Sequence, residues 1–246
     1  MRPGPAHLLR HPGLRPAVAA ATPSPGIATG HASLDALLHW RGWPAAALTE
    51  LLAEPGLGEF GLVIPALARL TVAGRLVFLI DPPHLPHAQA LCQAGLPGEC
   101  LLVLRCPASR DRFWAGEQIL RSGTCAVLML WEGSEPWRHA QLLRLQSTAR
   151  TTATPIFLYR RPQAIRAASP APLRIGLQGS RNGTRLTIHK QPGPSGQTLS
   201  LAPSTAAAIG PARAGPPQLL GRQPALQMAD WPPGNGAPPP RLQVSP

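Results

Sequence analysis

Between residues 31 and 201 the apolar positions follow two alternating rhythms. Short continuous apolar runs at 47–53, 75–81, 101–104, 125–130 and 155–159 are bounded by turn residues and read as strands buried on both faces. Helical spacing fills the gaps between them. The segment 62–70 is a helix with Pro65 tolerated in its first turns, 85–94 a helix ended by Gly95, 109–122 one closed by Gly123, and 136–149 a fourth. A shorter helix precedes them at 29–38, with Leu34, Leu37 and Leu38 on one face and Thr29 or Ser33 as candidate caps, stopped by Gly42-Trp43-Pro44. Strand–helix pairs repeated in this way predict an α/β fold with a mostly parallel sheet flanked by helices.

After residue 162 the rhythm changes to strict alternation. The segments 173–178 and 184–190 each place apolar residues at every second position, and Gly179-Ser180-Arg181-Asn182-Gly183 lies between them. An Asn-Gly loop between two alternating runs predicts a β-hairpin, with 197–201 as a further strand.

Composition sets the ends apart from this core. Pro (32) and Gly (24) are close to a quarter of the 246 residues, and the prolines crowd into the two termini. The expected organisation is a flexible leader at 1–26, one domain at 27–203, and a disordered Pro/Gly-rich tail at 204–246. No run of apolar residues is long enough for a membrane span, and the apolar patch 17–21 is too short and weak for a signal peptide, so a cytoplasmic protein is expected. Cys92, Cys100, Cys106 and Cys125 form no CxxC pair and read as reduced, mostly buried thiols. Trp40, Trp43, Trp114, Trp131 and Trp137 read mainly as packing residues, with a stacking or anchoring role as the alternative.

The net charge of +12 belongs largely to one stretch. Residues 136–201 hold nine Arg and Lys190 with no Asp or Glu, whereas 31–135 hold ten acids against seven Arg. Arginine suits planar phosphate and carboxylate partners, so the stretch is a candidate surface for DNA or an acidic protein. Arg160 and Arg161 follow a strand at the edge where parallel sheets form their crevice. Arg174, Arg185 and Lys190 occupy hairpin positions opposite the apolar ones, and Arg181 lies in the hairpin loop. These six are the candidate binding residues, expected to face solvent together.

The strand–turn–helix at 47–70 is where an α/β nucleotide-binding protein cradles phosphates. Gly56 and Gly58 suit such a loop, but Glu59 stands in the Lys slot and Phe60 in the hydroxyl slot. A carboxylate there favours the helix dipole and repels a triphosphate, which predicts a degenerate phosphate loop, no catalysis and no cofactor. The strand 125–130 also runs into Trp131 and Glu132 rather than an Asp able to support Mg²⁺. His84, His87 and Cys92 lack a fourth ligand at usable spacing, so no metal is expected. Asp81 ends a strand beside the crevice and is read as a functional group or as a cap of the next helix.

The stretch Thr29-Gly30-His31-Ala32-Ser33-Leu34-Asp35, followed by Gly42-Trp43-Pro44 and Leu48-Thr49-Glu50-Leu51, resembles the opening of RecA-type domains. With Ile80-Asp81-Pro82-Pro83-His84-Leu85-Pro86, the helix Trp114 to Gly123 and the basic hairpin, it is similar to the ImuA family, RecA/SulA-like proteins of bacterial mutagenesis cassettes. Ala46 and Ala47 depart from that family's usual pair. The resemblance implies a RecA-like domain and a non-catalytic accessory role in SOS translesion DNA synthesis. The implied partners are an ImuB-like protein, RecA and a DnaE-type polymerase, with DNA as a further candidate. The alternative is a SulA-like inhibitor of cell division that binds the tubulin-like division protein.

Overall fold

The computed structural model describes residues 25–56, 59–71, 75–106, 108–180, 183–202 and 241–244. Strand–helix alternation builds its first half: α1 (Ala32–Leu37), β1 (Leu48–Leu52), α2 (Ile64–Thr71), β2 (Leu76–Ile80), α3 (Ala88–Gln93), β3 (Leu101–Arg105), α4 (Ser109–Arg121), β4 (Cys125–Trp131), α5 (His139–Thr152) and β5 (Ile156–Arg160). Strands β6 (Leu173–Ser180), β7 (Gly183–Lys190), β8 (Thr198–Leu201) and β9 (Arg241–Val244) follow. Among the described residues they form one sheet in the order β8-β7-β6-β1-β5-β4-β2-β3-β9. Its centre, from β6 to β3, is parallel, and the hairpin β6–β7 and the β7–β8 pair are antiparallel. The expected α/β class, with a mostly parallel sheet, flanking helices and a C-terminal hairpin, is the observed one.

Alternate residues of each central strand supply two cores. Leu51, Val77, Leu79, Val127, Met129 and Phe157 pack with Leu34, Leu38, Val63 and Leu67 of the α1 and α2 side. Leu48, Phe78, Ile80, Leu128, Leu130 and Leu158 pack with Phe113, Ile119, Leu142 and Leu145 of α4 and α5. Each fully buried aliphatic side chain contributes about 1.5–3 kcal/mol, which is why continuous apolar runs stay in the sheet. No helix among the described residues is long and apolar enough to cross a membrane.

Several helix ends shift by up to three residues from expectation, and two departures have visible local reasons. Helix α5 starts after Arg138 rather than at Pro136, because Trp137 donates its backbone N–H to Glu132 and the Gln141 side chain accepts from the N–H of Arg138. The four residues 241–244, placed by composition in a disordered tail, instead pair antiparallel with β3. An open sheet edge offers unpaired backbone groups, and an alternating segment such as Arg-Leu-Gln-Val can satisfy them. The leader 1–24 and the connection 203–240 lie outside the described residues.

Candidate functional site: the crevice at the strand ends

Strand β1 lies between β5 and β6, and the chain leaves it toward β2, whereas β5 hands over to β6 on the other side. Such a reversal opens a crevice at the carboxyl ends of a parallel sheet. The loop after β1, the turn after β2, and the ends of β4 and β5 line it.

On the α2 side the crevice is apolar. A cavity of about 190 Å³ lies between Glu59 and Phe60, the Pro82–Pro86 turn and Trp131. The Trp131 and Tyr159 rings stack at 4.5 Å, and Phe60 tilts against Trp131 at 6.3 Å. The Tyr159 hydroxyl donates to the backbone oxygen of Glu59 at 3.3 Å. Burial, with Glu59 nearby, pushes its pKa well above the ordinary tyrosine value, so it stays protonated and donates. The Glu59 side chain is buried and folds back to accept from the Gly56 N–H at 3.3 Å. The Gly56 N–H is thus engaged by a carboxylate of its own loop. Gly58 lies outside the described residues.

On the other face the crevice is floored by an ion network. Glu50 is fully buried in the middle of β1. Its carboxylate accepts from Arg160 Nη1 at 3.1 Å, Arg174 Nε at 2.6 Å and Ser169 Oγ at 2.6 Å. Arg160 also donates to Glu132 through Nε at 2.9 Å and pairs with it through Nη2 at 2.8 Å. Burial opposes the Arg160 charge, but the hydrogen bond to Glu132 and the attraction of Glu50 outweigh it, and its pKa is raised. Arg174 donates further to the backbone oxygens of Ala164, Ile165 and Ala167. It therefore ties the segment 161–170 onto the face of β1 that α5 leaves bare. Two guanidinium and two carboxylate groups balance, which is the condition for burying them.

Arg160 and Arg174, expected among the exposed cations, are 3% and 6% exposed and belong to this network. The reason is Glu50, a lone acid in a strand covered on both faces, which must be neutralised from neighbouring strands. Arg161, Arg185 and Lys190 are exposed, and Lys190 Nζ donates to the Ser169 oxygen at 2.8 Å. Arg181 lies outside the described residues. Asp81 neither caps α3 nor faces the cavity. It accepts from the Cys106 N–H at 2.9 Å and pairs with Arg112 at 2.5 Å. His87 caps α3 by accepting from the Ala90 N–H, and His84 and Cys92 are exposed. Glu50 and Glu132 are the site residues that pattern reading missed. An acid inside the otherwise apolar run at 47–53 was the available signal.

Four acids around the crevice are thus engaged within the chain: Glu50 and Glu132 by Arg160, Asp81 by Arg112, Glu59 by Gly56. The arrangement suits binding of a partner group, with an apolar cavity on one side and a rigid polar floor on the other.

No family model matches the chain. Over 134 residues it is 32% identical to the cell division inhibitor SulA of Edwardsiella piscicida, a match covering 78% of that protein and 52% of this chain. The chain belongs to the SulA family. The chain is about half as long again as this relative, and the match covers only part of its 246 residues.

Proposed function

We propose that this protein is a non-catalytic, SulA-like inhibitor of cell division in the SOS response, acting by stoichiometric binding to the tubulin-like division protein. The observation that carries this reading is the 32% identity to a relative named as a cell division inhibitor, over 78% of that relative. The crevice supports a binding role. Glu50, Glu132 and Asp81 are paired with arginines of the same chain, and Glu59 accepts from the Gly56 N–H. Induced expression in a rod-shaped bacterium should produce filaments, and the purified protein should lower sedimentable polymer of the division protein in proportion to its concentration. Normal division with confirmed expression, together with unchanged polymer, would sink the reading. Titration with Mg·ATP should show no micromolar binding.

A second reading is an accessory role in SOS mutagenesis with an ImuB-like protein, RecA and a DnaE-type translesion polymerase. The greater length relative to the inhibitor favours it, as do the Trp114 to Gly123 stretch in and after α4 and the Ile80–Pro86 stretch beside the cavity. Binding measurements side by side separate the two readings. The first requires the division protein to bind more tightly, the second the ImuB-like protein.

A further inference from the structure

Beyond the crevice, the sheet has a face that no helix among the described residues covers. The β6–β7 and β7–β8 connections are short and carry no helix, and among the described residues α5 and the segment 161–170 reach only as far as β1 and the start of β6. On the opposite face Leu177, Leu186, Ile188, Leu199 and Leu201 pack into the first core. The strand period of two then assigns the intervening residues to the bare face. Registers align them in rows. Arg185 lies between Gln178 on β6 and Ser200 on β8, and Thr187 between Gly176 and Thr198. Gln178, Arg185, His189, Thr198 and Ser200 are all exposed. The His189 ring occupies the space that a side chain at Gly176 would take, since a Cβ there would meet its Nε2 at 2.5 Å.

This face continues without a break in sign onto the covering segment. Lys190 reaches the Ser169 oxygen, and Arg161 and Arg166 on that segment are exposed. From 136 to 201 the chain has no Asp or Glu to offset them. The two arginines that would have added to the surface charge are drawn inside by Glu50, which leaves a sparse cationic face of Arg185 and Lys190 bordered by Arg166.

We propose that the open face of β6, β7 and β8, with its border at Lys190 and Arg166, docks an acidic surface of a partner protein. Cations separated by hydroxyl and amide groups match carboxylates, which accept hydrogen bonds from both kinds of donor. Nucleic acid fits less well. The strands carry no Phe, Tyr or Trp on which bases could stack, and the His189 ring lies against Gly176. The inference rests on the charge and topology of this face and holds whichever process the partner serves.

The test uses the full chain and fluorescence anisotropy. The probes are a labelled peptide of about 20 residues containing only Asp, Glu and Gly, and a labelled oligothymidylate of similar length, at about 50 and about 200 mM salt. Arg185→Glu with Lys190→Glu is compared with Arg69→Glu with Arg150→Glu, which changes charge equally on α2 and on the last turn of α5. The first pair should weaken peptide binding roughly tenfold and the second pair less than about twofold, with a loss for both at higher salt. Arg185→Gln with Lys190→Gln should show the same order at smaller size, and it serves if the Glu pair fails to fold by circular dichroism. Equal losses in the two pairs would overturn the proposal, because attraction would then be a property of net charge. Tighter binding of the oligothymidylate, lost in the first pair, would overturn it in favour of nucleic acid.

Discussion

Single side chains decide the floor of the crevice. Glu50 is fully buried and holds both Arg160 and Arg174, so its removal would leave two buried guanidinium groups short of a counter-charge. Breaking a buried pair from one side costs about 3–5 kcal/mol. Glu50→Ala should lower the urea unfolding free energy by about that much, and Glu50→Gln, which keeps the acceptor oxygen, should lose less. A loss within about 0.5 kcal/mol for the Ala variant, the range of ordinary surface substitutions, would show that the network is not what holds 161–170 in place. Two histidines link the fold to pH. Burial lowers the pKa of His31 below 6.5, partly opposed by Asp35, and burial with Arg174 lowers that of His189. His31 Nε2 is buried without a hydrogen-bond partner. Both groups therefore bind protons more readily in the unfolded chain. Their neutral forms leave stability intact above pH 6.5, the ordinary histidine value, and stability should fall as pH drops below it. Urea unfolding between pH 7.5 and 5.5 should show this decline, and His31→Gln with His189→Gln should flatten it.

Helix ends and strand edges carry the next level of control. Helix α5 stops at Ala153, whose φ of 50° and ψ of 39° are left-handed. A Cβ in that conformation costs about 1–2 kcal/mol, and glycine avoids it. Its greater freedom in the unfolded chain offsets part of the gain. Ala153→Gly should therefore stabilise the protein by about 0.5–1 kcal/mol, read as a higher urea midpoint with an unchanged slope. A lower midpoint would mean that the Ala153 methyl has a packing role outweighing the backbone relief. The same reasoning accounts for Pro155 two residues later, which keeps α5 from continuing and admits β5.

For the molecule as a whole, the notable contact joins the end of the chain to the far edge of the sheet. Strands β8 and β9 lie at opposite edges of the sheet. Eight strand spacings amount to about 38 Å, well within the reach of a chain that covers about 3.3–3.6 Å per residue when extended. Pairing of 241–244 closes the edge of β3, which would otherwise present a free ladder. Deletion of 241–246 should leave the domain folded by circular dichroism but raise its tendency to self-associate, seen as a concentration-dependent increase in mass by light scattering. A deletion variant that stays monomeric over the concentrations where the full chain does would show that the β3 edge is protected by other means.

The order of strands and helices from 47 to 160 is readable from the chain because burial on both faces of a sheet demands continuous apolar runs, and flanking helices demand a stripe. The β6–β7 hairpin is readable because Asn182-Gly183 fits a tight turn between alternating segments. The carboxylate of Glu59 in the loop after β1 is likewise visible in the chain itself. Three things required the folded chain. Sheet order brought Glu50 beside residues more than a hundred positions away, turning Arg160 and Arg174 from surface candidates into counter-ions. Edge pairing gave 241–244 a partner that composition could not suggest, because backbone ladders are nearly blind to side chains. Among the described residues no helix lies beyond β6, which leaves Arg185 and Lys190 exposed together. In each case the deciding interaction joins positions distant in sequence, and an alternating pattern names the inward and outward sides of a strand without saying what, if anything, lies over them.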